Sequence, residues 1–148
     1  MSTVRSPGSA AAPATTARFA VVMPAFDAEA TIAEAIASVA AQTWTDWELA
    51  VADDGSRDGT RAVAERFAAA DGRIRVVAAA HCGVAAACGL AVAATSAPYL
   101  LRFDADDALL PDCMATYAAF IAGHPGYDIY SCDAEVFDES GPLGRYYA

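Results

Sequence analysis

The strongest constraint on this chain is an alternation. Short apolar runs, FAVVM at 19–23, ELAVA at 48–52, IRVVA at 74–78 and YLLRF at 99–103, are separated by stretches whose apolar residues recur at helical spacing. Runs this short suit strands buried on both faces rather than helices. Between the first two, Ile32, Ile36 and Val39 fall at i, i+4 and i+7 and form one stripe, with Asp27 placed to cap the helix. Val63 and Phe67 repeat the pattern behind Asp58 as cap. A third helix is expected over Val84–Ala94, and a fourth opens at Pro111 and carries Met114, Tyr117, Phe120 and Ile121. A fifth strand is expected at Tyr127–Ser131, then a hairpin turning at Ser140–Pro142. Such alternation predicts an α/β fold: a mostly parallel sheet with helices on both faces, right-handed crossovers, and ligands at the carboxyl ends of the strands.

The run from Val76 to Leu101 carries no charged residue and is long enough to span a membrane. Its content argues otherwise, because it is mostly alanine and is broken by His81, Gly83, Gly89 and Pro98. A strand, a loop, a buried helix and another strand account for it better. Alanine also inflates the 56% hydrophobic content, so the mean hydropathy of +0.29 does not indicate a membrane protein. With 148 residues the chain is expected to form one domain. Residues 1–17 mix Ser, Thr, Pro, Gly and Ala and are expected to be a disordered tail, which leaves residues 18–148 as the domain. Cys82, Cys88, Cys113 and Cys132 form no C-x-x-C pair and read as small buried thiols. His81 beside Cys82 lacks the spacing of a zinc site.

Charge narrows the chemistry. The net charge is −10 with an isoelectric point near 4.3, and all 9 basic residues are arginines. Extended contact with nucleic acid needs clustered cations that this chain lacks. The absence of lysine removes P-loop, Schiff-base and lysine-base chemistry, and with it a phosphoacceptor receiver domain, which shares the acidic sheet edge but relies on a lysine. Any phosphate ligand must then be neutralised by arginine, by backbone N–H groups or by a metal. With 19 carboxylates in the chain, a metal is the economical choice.

Two acidic stretches stand at expected strand ends. In VADDGSRDGT, residues 51–60, Asp54, Ser56, Asp58, Gly59 and Glu65 match most of a calcium-loop template. Such a loop sits between two helices, whereas Trp47–Ala52 reads as a strand, and Arg61 falls at the eighth position. The alternative places Asp53 and Asp54 at the strand end with Gly55 turning the chain. Asp54 there either accepts a hydrogen bond from a nucleobase or ribose, or bonds the turn's own backbone. In RFDADDALLPD, residues 102–112, extended geometry points Asp104 and Asp106 the same way, with Asp107 free to turn back. Like charges that close repel unless a cation lies between them, and hard oxygen donors suit Mg²⁺ or Mn²⁺ that also holds phosphate oxygens. The plainer reading is a solvated acidic turn before a helix, with Asp112 favouring the helix start.

Taken in order, VVMPAFDAE (21–29), QTWTDWE (42–48), VADDGSRDGT (51–60), GVAAACGL (83–90) and FDADDALLPD (103–112) give the chain its resemblance to the family 2 glycosyltransferases of GT-A (Rossmann-like) fold. The resemblance covers residues 19 to about 133. It implies a metal-dependent, inverting transfer of sugar from a nucleotide-diphosphate donor, linked to UDP, GDP or dTDP, to an acceptor hydroxyl, with Mn²⁺ or Mg²⁺ as cofactor. Pro24, Ala25, Phe26 and Glu29 resemble the family's wall for the nucleobase and ribose. Asp54 resembles its base-contacting carboxylate, and Asp104 and Asp106 its D-x-D pair, whose second member usually holds the ion.

The chain also departs from the family pattern. GVAAACGL is two residues shorter than the usual G-V-S-A-A-R-N-x-G-L and lacks its Arg-Asn pair, and His81 stands where Asn is common. The sequence stops just beyond the expected hairpin, so the acceptor half is expected to be missing and the chain to bind the donor without turning it over. The base that would deprotonate the acceptor is expected in that half, since nothing in the sequence positions Asp133, Asp138 or Glu139 for the task. The expected location is the cytoplasm, the cytoplasmic face of the membrane included. The alternative is a non-catalytic nucleotide-sugar fold retained as an interaction or regulatory module.

Overall fold

A computed structural model describes residues 2–4, 18–138 and 141–145. The strands are β1 (Ser2–Val4), β2 (Phe19–Ala25), β3 (Trp47–Asp53), β4 (Ile74–Ala78), β5 (Tyr99–Arg102), β6 (Ile129–Ser131), β7 (Glu135–Asp138) and β8 (Gly141–Arg145). The helices are α1 (Ile32–Ala40), α2 (Thr60–Ala70), α3 (Val84–Ala93) and α4 (Cys113–Gly123). The described residues divide into two compact units, one within residues 18–118 and one formed by residues 2–4 with 119–138 and 141–145.

In the larger unit, four parallel strands lie in the order β4-β3-β2-β5. Every residue of β2 and β3 is buried, as the apolar runs require of central strands. Val22, Ala50 and Ala52 pack on one face against Ala87 and Ala91 of α3, the small side chains letting the helix lie close to the sheet. Val21, Met23, Leu49 and Val51 alternate to the other face. The chain first runs outward through β2, β3 and β4, then returns to place β5 on the far side of β2. Right-handed crossovers therefore put α3 opposite α1 and α2.

Several expectations change. Thr31, not Asp27, is the N-cap of α1, because Asp27 turns into a left-handed conformation (φ 47°) and its carboxylate takes another partner. The formal N-cap of α2 is Gly59, yet Asp58 one residue earlier accepts the Thr60 N–H at 3.0 Å and so does the capping. α3 is not a buried helix: Ala87 and Ala91 are buried, while Val84, Leu90 and Val92 are exposed, because only one edge of it meets the sheet. No cysteine is buried; Cys82 and Cys132 are exposed, and Cys88 and Cys113 partly so. Among the described residues, no helix is long and apolar enough to cross a membrane.

In the smaller unit, β6 covers the end of the expected fifth strand, but it pairs antiparallel with β1 rather than joining the parallel sheet. Part of the expected disordered tail is thus a strand; residues 1 and 5–17 lie outside the described residues. β7 and β8 form the expected hairpin with an irregular register at Val136/Phe137. Gly141 and Pro142, expected in the turn, belong to β8, and residues 139–140 are outside the described residues.

At the amino end of the large sheet, Glu48 is 3% exposed and receives the N–H groups of Ser96 (2.7 Å) and Ala97 (2.9 Å) and the Arg75 guanidinium (3.0 Å). Burial opposes its charge, but these backbone donors, the Ser96 hydroxyl and Arg18 outweigh it and hold the carboxyl below the ordinary glutamate value. The stabilisation is therefore present at neutral pH, above the unfolded value, and is lost as pH falls through the lowered folded value. Glu48→Gln should cost about 2 kcal/mol at neutral pH in urea unfolding, because an amide cannot accept all these donors. The variant should also lose less stability in acid than the parent; an unchanged acid profile would rule this assignment out.

Candidate functional site

The pairing of β2 with β3 continues to Ala25↔Asp53, whereas its pairing with β5 stops at Val22↔Arg102. Beyond Val22 the two strands part, and Pro24, which has no N–H to donate, sits where β5 no longer pairs. The divergence opens a cavity of about 510 Å³ at the carboxyl edge, where the strand order reverses. Pro24 and Ala25 line it from β2, and Phe26, Asp27, Ala28, Ala30 and Thr31 from the connection to α1. Asp54 lines it after β3, Val84 and Ala87 from α3, and Asp104, Ala105 and Asp106 after β5.

Six of the seven residues expected at the site therefore share one cavity, and Glu29 does not. Its carboxylate accepts the Gly59 N–H at 2.9 Å, and its own N–H donates to Asp58 Oδ2 at 3.0 Å. These bonds belong to a clasp between the β2–α1 and β3–α2 loops. In the same clasp Asp27 Oδ1 accepts the Arg57 N–H (2.7 Å), Ser56 Oγ accepts the Asp27 N–H (3.0 Å), and Thr60 Oγ1 accepts the Ala28 N–H (2.7 Å). A Cβ added at Gly59 would lie 2.3 Å from Glu29 Oε1, so a side chain there would displace this carboxylate. The Thr60 hydroxyl, followed by its N–H and that of Glu29, keeps Asp58 below the ordinary aspartate value.

Asp54 is 4% exposed, and its carboxylate reaches forward to the loop before α3. Oδ1 accepts the Cys82 N–H at 2.6 Å and Oδ2 the Gly83 N–H at 2.8 Å. Burial works against its charge; the Cys82 and Gly83 donors and nearby His81 overcome it and keep the carboxyl below its ordinary value. The bond the Cys82 thiol gives the same carboxylate pushes that thiol up, away from nucleophilic reactivity. His81 takes a left-handed backbone (φ 49°), and its ring lies 4.5 Å from that of Phe26, which is 42% exposed at the cavity wall.

Asp104 and Asp106 are not on an extended strand. β5 ends at Arg102, and the Asp107 N–H turns back to the Asp104 carbonyl at 3.3 Å. Arg102 Nη2 bonds Asp104 Oδ1 at 2.7 Å, while Asp106 is exposed. Burial first, then the charges of Asp106 and Asp104, raise Asp107 above its ordinary value. Sequence reasoning missed Gln42, which pins the far end of this loop. Its Nε2 donates to Leu110 O (2.7 Å) and its Oε1 accepts the Met114 N–H (3.0 Å). Only its place within QTWTDWE hinted at a role.

The donor set suits a hard divalent ion, since among the described residues the cavity lining offers carboxylates and no thiol or imidazole. Among the described residues no group of three or more His, Cys, Asp and Glu side chains converges to hold a metal, so an ion on Asp104 and Asp106 would draw its other ligands from phosphate or water.

A parallel sheet with a cavity at its switch point is an open α/β fold, and its match to solved glycosyltransferase structures makes it GT-A. The family model described as Glycosyl transferase family 2 matches residues 20–145, and the chain belongs to that family. EpsE of Bacillus subtilis (strain 168), named as a glycosyltransferase, is 32% identical over 129 residues, which are 86% of this chain and 46% of that protein. S. aureus TarS 1–349 in complex with UDP-GlcNAc superposes with a TM-score of 0.68 at 26% identity, over 72% of this chain and 32% of that one. The mannosyltransferase PcManGT from Pyrobaculum calidifontis, in complex with GDP-Man and Mn²⁺, gives 0.64 at 25%, over 76% and 34%. This chain thus spans less than half the length of each of these three.

Asp54→Asn leaves one acceptor where two backbone donors converge. Amide exchange at Cys82 and Gly83 should quicken by about tenfold or more, with the β2 and β3 amides still protected. Unchanged exchange at those two amides would show that the carboxylate does not hold the loop.

Proposed function

We propose that this chain binds a nucleoside-diphosphate sugar in the cavity between β2 and β5, as the donor-binding part of a metal-dependent glycosyltransferase. The transfer is to an acceptor hydroxyl with inversion. The observation that carries the reading is one cavity lined both by Asp54, after β3, and by Asp104 and Asp106, after β5. An anionic donor needs a cation to enter so acidic a site, and membership of family 2 supplies the chemical context.

Phe26 offers a partly exposed ring as a wall for the nucleobase, with Pro24 and Ala25 beneath it as apolar backbone-proximal surface. Asp54 fixes the loop at residues 82–83, and its oxygens keep lone pairs that can accept a ring N–H. Asp104 and Asp106 would hold Mn²⁺ or Mg²⁺. Bound there, the ion would offset the charge that develops on the departing nucleoside diphosphate. The donor carries UDP, GDP or dTDP, and the acceptor's base is assigned to no residue of this chain.

Calorimetry with UDP, GDP and dTDP should find at least one that binds in the presence of Mn²⁺ and is released by a chelator. Asp106→Asn should weaken that binding by about tenfold or more. Failure of all three nucleotides to bind with Mn²⁺ would defeat the proposal.

A further inference from the structure

Among the described residues, four carboxylates line the cavity, Asp27, Asp54, Asp104 and Asp106, and no basic residue does. Asp27 and Asp54 are committed to backbone N–H groups. The Asp104 carboxylate instead receives a guanidinium, Arg102 Nη2 at 2.7 Å. Arg102 stands at the last position of β5 and is 58% exposed. The ion pair sets its charge directly against Asp104 at the cavity edge.

We propose that Arg102 is a positioning residue that makes the cation site conditional on the diphosphate. By holding Asp104 Oδ1, it occupies one of that carboxylate's two oxygens and sets a positive charge next to any ion that Asp104 and Asp106 share. A divalent ion arriving alone meets two carboxylates already partly neutralised, and is repelled by the guanidinium. An ion arriving with a diphosphate brings negative oxygens that complete its coordination and attract Arg102 in turn. The guanidinium therefore opposes the metal alone and favours the metal–nucleotide pair, a coupling in which each ligand strengthens the other. This inference rests on the donor-binding reading for the nucleotide, but its first measurement does not need one.

The test titrates Mn²⁺ alone into the full chain, following free Mn²⁺ by electron paramagnetic resonance, then repeats the titration with saturating UDP or GDP. Arg102→Met should bind Mn²⁺ alone about fivefold to tenfold more tightly, a range already discounted for solvent exposure. The gain in Mn²⁺ affinity on adding nucleotide should shrink by a similar factor. Arg102→Lys keeps the charge and should stay close to the parent in both. Unchanged or weaker binding of Mn²⁺ alone by Arg102→Met overturns the inference, as does a lysine variant that behaves like methionine. If the methionine variant does not fold, Arg102→Gln is read on the same titration. A parent chain that binds neither nucleotide with Mn²⁺ would overturn the donor-binding reading instead, while the metal-only titration still decides the part played by Arg102.

Discussion

The reversal of strand order at β2 is the constraint on which the site depends. Two neighbouring strands whose connections run in opposite directions cannot share a loop above their ends, so the sheet's carboxyl edge stays open between them. Here the opening begins where β5 stops pairing at Arg102 while β2 continues beside β3 to Ala25. Everything that lines the cavity is a continuation of one of these strands or of α3, which packs across them. The helix approaches closely because alanines meet there, Ala50 and Ala52 from the sheet and Ala87 and Ala91 from α3.

An acidic chain without lysine has to place its carboxylates with care, and two uses are visible. Most of those that matter structurally accept backbone N–H groups: Glu48 at the loop before β5, Asp54 at the loop before α3, and Asp27, Glu29 and Asp58 in the clasp. A carboxylate with two such donors remains charged even when buried, and it fixes a loop as firmly as a short strand would. Asp104 and Asp106 are the other kind. Their loop is held from a distance by Gln42 and by Ser38, whose hydroxyl accepts the Leu109 N–H at 3.0 Å, so the acids need not spend their own oxygens on the backbone. Among the described residues, the Asp104 carboxylate is bonded by a cation, Arg102.

Much of this was legible in the sequence. The apolar runs marked all four parallel strands, although only the central β2 and β3 are buried throughout, while the edge strands β4 and β5 are partly exposed. Asp54, Asp104 and Asp106 could be singled out because acids at strand ends in such a sheet stand at its ligand edge. Glu29 could not be told from a cavity residue, since its direction depends on a clasp with Gly59 formed across 30 positions of sequence. The same holds for Gln42, bonded across 72 positions to Met114. α3 looked buried because it is apolar on every side, but burial is decided by what neighbours it meets. Tyr127–Ser131 has strand composition, and composition does not say which strand will pair with it; here it is β1, antiparallel.

By itself, then, the sequence determined the alternating elements, the parallel sheet and the kind of chemistry its acids can support, because period and residue type act locally along the chain. Only the tertiary structure decided which oxygens are occupied and which face the cavity. Hydrogen-bond partners tens of residues apart are chosen by how the loops converge once the strands have taken their order, and no local pattern records that choice.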